Sequence, residues 1–170
     1  MKQWSLSCVL VVLAFCASCA SNKAEPAGDW QIAEIESPSD RVLWKISLQA
    51  LQKMGYPLGA GMDPGEMHVE SGWKVDLHPF SGRGQRTLAV LDMRPKESGV
   101  WTVEARVKRQ LNEELARPLD PRFADWQWDA DDTDSARILL QHIRSALDPT
   151  FQTRERPADP VTDYRRRSGR

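Results

Sequence analysis

"VWTVEARVKRQ", Val100–Gln110, alternates with a period of two along its length. Trp101, Val103, Ala105 and Val107 point one way, and Thr102, Glu104, Arg106 and Lys108 the other. Successive side chains of an extended strand project to opposite faces, so the pattern specifies a half-buried strand of an antiparallel sheet. Upstream, "RTLAVLDM" (86–93) is apolar on both faces, as a central strand requires. In "WKVDLHPF" (73–80), Trp73, Val75 and Leu77 alternate with Lys74, Asp76 and His78, and "EMHVES" (66–71) is a short strand. The connectors "SGRGQ" and "RPKESG" fall at hairpin distances, so an antiparallel meander of about four strands is predicted, with one apolar face that needs a cover.

Two segments supply that cover. In "SPSDRVLWKISLQALQKMGYP" (37–57), Leu43, Ile46, Ala50, Leu51 and Met54 recur at spacings of three and four. Ser37 is placed to cap the first turn, Pro38 suits the first helical position, Gly55 suits the left-handed stop and Pro57 forbids continuation. The spacing predicts a helix over 38–54. In "DDTDSARILLQHIRSALDP" (131–149), Asp132 or Thr133 caps a helix whose stripe is Ala136, Leu139, Leu140, Ile143 and Leu147, ended by Pro149. Between Arg117 and Asp131, "RPLDPRFADWQWD" reads as a long irregular loop. The expected fold is α+β, two helices packed on one face of the sheet.

The flanks differ in kind. "ASNKAEPAGD" (20–29) is a small-residue linker, and a flexible chain of that length spans on the order of 17 Å. "PTFQTRERPADPVTDYRRRSGR" (149–170) is rich in charge and proline without periodicity, so disorder is expected from 150 onward. The chain opens with Lys2 and the apolar "LSCVLVVLAFCA", too short to span ~30 Å of hydrocarbon comfortably at ~1.5 Å per helical residue. A basic start, an apolar middle and then small residues make a secretory signal. All three cysteines, Cys8, Cys16 and Cys19, lie there, so no disulfide framework exists in the remainder.

"CASC" (16–19) resembles the lipobox of bacterial lipoproteins, with Ala17 and Ser18 before the cysteine that becomes lipidated; Cys16 stands where that family usually has leucine. The resemblance implies cleavage before Cys19 and several acyl chains on it. One buried chain binds a bilayer reversibly, whereas two or more hold firmly. Ordinary secretion, with cleavage after Ala20, is the alternative. Ala20, where an Asp would signal inner-membrane retention in the enterobacterial pattern, implies the outer membrane, facing the periplasm. The expected organisation is a signal peptide over 1–18, a lipidated linker over 19–29, one domain over 30–149 and a basic tail over 150–170. The order helix, four-stranded meander, helix over 38–148, with "LQALQKMGY" and "ILLQHIRSAL", resembles the helix-grip domains of the lipoprotein subunit of the outer-membrane β-barrel assembly machinery. It hints at a role in envelope assembly.

Composition adds little chemistry: 41% hydrophobic, 28% charged and a formal charge of −1 give no field for nucleic acid. No G-x-S-x-G elbow surrounds a serine. His68, His78 and His142 form no H-x-x-x-H pair. "DADDTDS" (129–135) places Asp134 and Leu140 where a calcium loop needs Gly and Glu. No enzyme, metal site or cofactor is therefore expected. Two features carry the binding expectations. Trp126 and Trp128, in "FADWQWD", face one side if extended, forming either a platform for a partner or glycan or a plug for the sandwich. Arg165, Arg166 and Arg167 make a basic cluster for an anionic lipid or acidic partner. The expected function is non-catalytic contact with an envelope protein beside the membrane; the alternative is a glycan- or lipid-binding module.

Overall fold

The computed structural model describes residues 23–59, 61–77 and 83–148. The expected signal peptide, Cys19, His78 and the whole basic tail with Arg165, Arg166 and Arg167 lie outside the described residues. The fold is α+β, with strand β1 (Gln31–Glu36), helix α1 (Asp40–Lys53), strands β2 (Gly61–Asp63), β3 (His68–Glu70), β4 (Lys74–Asp76), β5 (Gln85–Glu97), β6 (Val100–Asn112) and β7 (Trp126–Trp128), and helix α2 (Thr133–Leu147).

The sheet has seven strands where about four were expected. Its spine is the long β5–β6 hairpin, turned at Gly99 with φ +76°. β1 and β7 share the outer edge of β6, opposite residues 100–105 and 110–112 respectively. β3 and β4 share the outer edge of β5, and β2 pairs with β3. All pairings are antiparallel. The expected hairpin between β3 and β4 is therefore replaced by one interrupted strand along β5. Ser71 makes the break: its amide donates to the Ala89 carbonyl and its hydroxyl accepts the Ala89 amide, both at 2.9 Å. Gly72 follows with its amide on the Pro57 carbonyl at 2.7 Å, where an added Cβ would lie 3.2 Å from Pro57 Cβ.

The register settles which side is core. Ala89, Leu91 and Met93 of β5 stand opposite Val107, Ala105 and Val103 of β6, and all six are buried with Ile35, Val69 and the helix stripes. α1 contributes Leu43, Ala50 and Leu51, and α2 contributes Ala136, Leu139, Leu140 and Ile143, so both helices cover one face as expected. Each fully buried aliphatic side chain contributes roughly 1.5–3 kcal/mol before entropy is counted.

The caps follow local chemistry. α1 starts two residues later than predicted because Ser39, not Ser37, is the cap, its Oγ accepting the Val42 amide at 3.3 Å. Ser37 instead donates its amide to Gly99 O at 2.8 Å, tying the helix entry to the hairpin turn. Gly55 takes φ +81° and stops the helix as predicted. Asp132 caps α2, accepting from Ser135 N at 2.9 Å and Ser135 Oγ at 2.8 Å. The outer edge of β1 is partly blocked by Arg144 of α2, which donates to Glu34 O at 3.0 Å.

Candidate interaction site on the open sheet face

The face opposite the helices carries the even-numbered residues of β5 and β6. Its side chains are set by pairing: Arg86 beside Gln110, Leu88 beside Lys108, Val90 beside Arg106 and Asp92 beside Glu104. β7 adds Trp128 opposite Gln110 and Trp126 opposite Asn112, so both tryptophans share this face. The segment expected to be a long irregular loop is thus interrupted by a strand. A one-residue slip would send both indoles to the other side. β4 is also reversed from the simplest expectation: Lys74 and Asp76 are in register with Thr87 and Gln85 on the helix side, while Val75, opposite Arg86, is on the open side.

Arg86 is the centre of the cluster. Its guanidinium carbon lies 4.4 Å from the Trp73 ring centroid and 4.7 Å from that of Trp126. Its Nε donates to Gln110 Oε1 at 2.7 Å. Trp73 and Trp128 meet at 5.9 Å between centroids with planes tilted by 52°. All four of Trp73, Arg86, Trp126 and Trp128 are half-buried. Burial lowers the Arg86 pKa from its ordinary value, and no described carboxylate forms an ion pair with it. Indole faces, with their negative quadrupole, take the place of a counter-ion.

Beside the cluster, residues 23–30 cross the same face as a strap. Arg106 holds it: Nε on Asp131 Oδ2 at 2.6 Å, Nη1 on Glu25 at 3.0 Å and Nη2 on the Pro26 carbonyl at 3.1 Å. Asp29 N donates to the same Asp131 carboxylate at 2.8 Å, and Lys108 also reaches Glu25 at 3.1 Å. The part of the expected flexible linker from Lys23 onward is thus fastened to the sheet. Gly28 lets the strap lie close, since an added Cβ would stand 2.8 Å from Trp30 Nε1 and 3.2 Å from Arg106 and displace those side chains.

The other candidates resolve individually. Asp129 pairs with Arg109, Asp131 with Arg106 and Asp134 with Arg137, while Asp132 caps α2, so the acidic run serves structure. Among the described residues no group of three or more His, Cys, Asp and Glu side chains is placed to hold a metal. His68 Nδ1 lies 2.7 Å from Asp92 Oδ1 on the open face. His142 is on α2, its pKa lowered by burial and by Lys53. Tyr56 is buried, and that burial raises its hydroxyl pKa, which disfavours a nucleophilic role.

The structure brings Trp126 and Trp128 together and adds two residues that the sequence reading did not place with them, Trp73 and Arg86. The parity of Trp73 and Val75 was visible in the sequence, but the face they belong to depends on the break at Ser71. No described helix is long and apolar enough to cross a membrane. Comparison with protein-family models and with curated proteins finds no match to this chain.

Proposed function

We propose that this protein is an envelope lipoprotein, anchored through Cys19 and facing the periplasm, that acts without catalysis by contact with another envelope protein. The contact surface is the Trp73–Arg86–Trp126–Trp128 cluster. One observation carries this reading: three indoles and a half-buried guanidinium with no described carboxylate partner share the face that neither helix covers. Trp and Arg are the residue types that dominate binding energy at protein interfaces, chiefly when their surroundings already exclude water. A sugar platform is less well supported. Such stacking needs an open indole face, and Arg86 already lies against Trp73 and Trp126.

The signal peptide over 1–18, the outer-membrane location and the basic tail belong to the same proposal, supported by "CASC", Ala20 and "YRRRSGR". Photo-crosslinking from a benzophenone amino acid at Val75, exposed on the open side opposite Arg86, in intact cells, tests it. We expect one envelope protein to be captured, and capture to fall at least tenfold in Arg86→Gln and in Trp126→Ala/Trp128→Ala. Equal capture in these folded variants would reject the cluster as the contact. Mass spectrometry of the mature N-terminus tests the anchor: an unmodified first residue would reject it.

A further inference from the structure

The segment joining β6 to β7 is built around a polar latch and turns apolar side chains outward. Asn112, buried at its base, accepts the amides of Glu114 and Asp125 at 3.0 Å and donates to the Pro118 carbonyl at 3.2 Å. The Glu113 amide closes the loop on Asp125 O at 2.8 Å. Leu115 is 81% exposed, Leu119 54% and Phe123 41%, three large apolar groups within nine residues of a water-facing loop. The loop's charges are nearly all engaged: Glu113 with Arg83, Glu114 with the amides of Ala116 and Arg117, Asp120 with Arg122 and Asp125 with Gln127. The Arg117 guanidinium stacks 3.2 Å from the Phe123 ring centroid.

The strap fixes where this loop sits relative to the anchor. The Lys23 amide donates to Gln127 Oε1 at 3.3 Å, and Gln127 Nε2 donates to Asp125 at the loop's closing pair. Cys19 is four residues before Lys23, and four residues of chain in any arrangement span at most about 14 Å. An acylated Cys19 therefore holds Lys23, which is tied to Gln127 beside the base of this loop, within about 14 Å of the lipid-bearing residue, whereas the β5–β6 turn at Ser98 and Gly99 is at the opposite end of the hairpin.

We propose that the loop Glu113–Asp125 is a second membrane contact, with Leu115, Leu119 and Phe123 entering the boundary between headgroups and acyl chains of the bilayer that holds the anchor. The inference rests on lipidation of Cys19. Apolar side chains flanked by arginine and internally paired acids suit that boundary, where the hydrocarbon of the side chain is buried and the charged groups stay in the headgroup layer.

The test uses the full processed protein. Its Cys19 sulfur is alkylated, so Leu115→Cys, Leu119→Cys or Ser98→Cys introduces a single free thiol for an NBD fluorophore. The labelled proteins are reconstituted into phosphatidylethanolamine–phosphatidylglycerol vesicles containing doxyl-labelled lipid. We expect blue-shifted, doxyl-quenched emission from positions 115 and 119 and water-like, unquenched emission from position 98. Vesicle-bound protein whose label at 115 behaves like that at 98 would overturn the loop contact and leave the anchor standing. Protein that stays in the supernatant with an unmodified N-terminus would overturn both. A blue shift seen in native envelope fragments and absent from pure lipid vesicles would reassign the loop to a protein partner.

Discussion

Arg106 and Asp131 form the joint between the strap and the sheet: the guanidinium Nε and carboxylate Oδ2 are 2.6 Å apart, with their side chains only 9% and 1% exposed. Arg106 also holds Glu25 and Pro26, and Asp131 also holds the Asp29 amide. Removing one member leaves Arg106 with only the more exposed Glu25 as counter-ion, or Asp131 with only an amide, and breaking a buried pair in this way costs up to about 3–5 kcal/mol. Arg106→Met and Asp131→Leu are each expected to lower Tm by on the order of 10 °C for a domain of this size. The double variant should recover part of that loss, because two apolar groups replace the pair. The Arg106 pKa is raised, first by its hydrogen bond to Asp131. A raised folded-state pKa stabilises below the unfolded value and fades only as pH rises through the folded one. With both values far above the mildly alkaline range, this group's contribution is flat across neutral and mildly alkaline pH. Thermal unfolding of the three variants between about pH 7 and pH 10 checks both statements.

Arg86 tests whether indole faces stabilise a guanidinium that has no described carboxylate partner. Cation–π contacts contribute ~0.5–1 kcal/mol when exposed and about 2 when desolvated, and here two rings share one cation. Arg86→Met is expected to cost about 1–2 kcal/mol, part of it from leaving Gln110 Oε1, on a buried residue, without its donor. Arg86→Lys is expected to recover little, since an ammonium lacks the planar fork that stacks on Trp73 and Trp126 while reaching Gln110. Urea unfolding monitored by tryptophan emission reads both effects.

The contrast between what the sequence disclosed and what it hid has a physical source. β6, α1 and α2 were legible because each buries one face over many residues, so periodicity reports burial directly. The missing strands were β1, β2 and β7, all at edges and short, where one partner strand is enough to hold them. "QIAEIE" does not alternate cleanly: Ile32 and Ile35 fall on opposite faces, and Ile32 is 63% exposed on the open side opposite Glu104, so its pattern is weak evidence of a core. β7 is hidden because Trp126 and Trp128 end a stretch broken by Pro118 and Pro121, and a three-residue strand is too short to show a period. Arg86 was absent from the candidate site because nothing in "GQRTLAV" indicates that residue 73 reaches it. That contact follows from the break at Ser71, a tertiary event with no local signature.

His142 gives the domain a directional acid response. Burial, then the charge of Lys53, lowers its pKa from 6.5. The unfolded chain therefore takes up a proton near pH 6.5 before the folded chain does. The stability linked to this group is present above pH 6.5 and is lost as pH falls through the folded-state pKa. Tm measured from pH 7.5 down to about pH 5 is expected to fall more steeply in the wild type than in His142→Gln. Lys53→Gln should move the His142 pKa up and shrink the wild-type slope. Parallel slopes in all three proteins would remove His142 from the account.

Asn112 offers the sharpest separation of loop order from core stability. It is 2% exposed, and its side chain makes three hydrogen bonds to backbone groups of one loop, to Glu114, Pro118 and Asp125. Asn112→Ala leaves two amides and a carbonyl to find water or remain unpaired. At about 1–3 kcal/mol for an unmet buried group, and with water reaching some of them, the net cost is about 2–3 kcal/mol. Asn112→Asp keeps both acceptor contacts but buries a charge and sets a carboxylate oxygen against the Pro118 carbonyl, so it is expected to cost at least as much as Asn112→Ala at neutral pH. Limited tryptic proteolysis should cut Asn112→Ala after Arg122 at least tenfold faster than the wild type, while the β5–β6 hairpin remains protected. Hydrogen exchange gives the complementary reading: the Glu113, Glu114 and Asp125 amides are expected to lose protection in Asn112→Ala, and those of Ala89 and Met93 to keep it. Equal protection of the loop in both proteins would mean that the latch is held by the Glu113–Asp125 backbone pair alone.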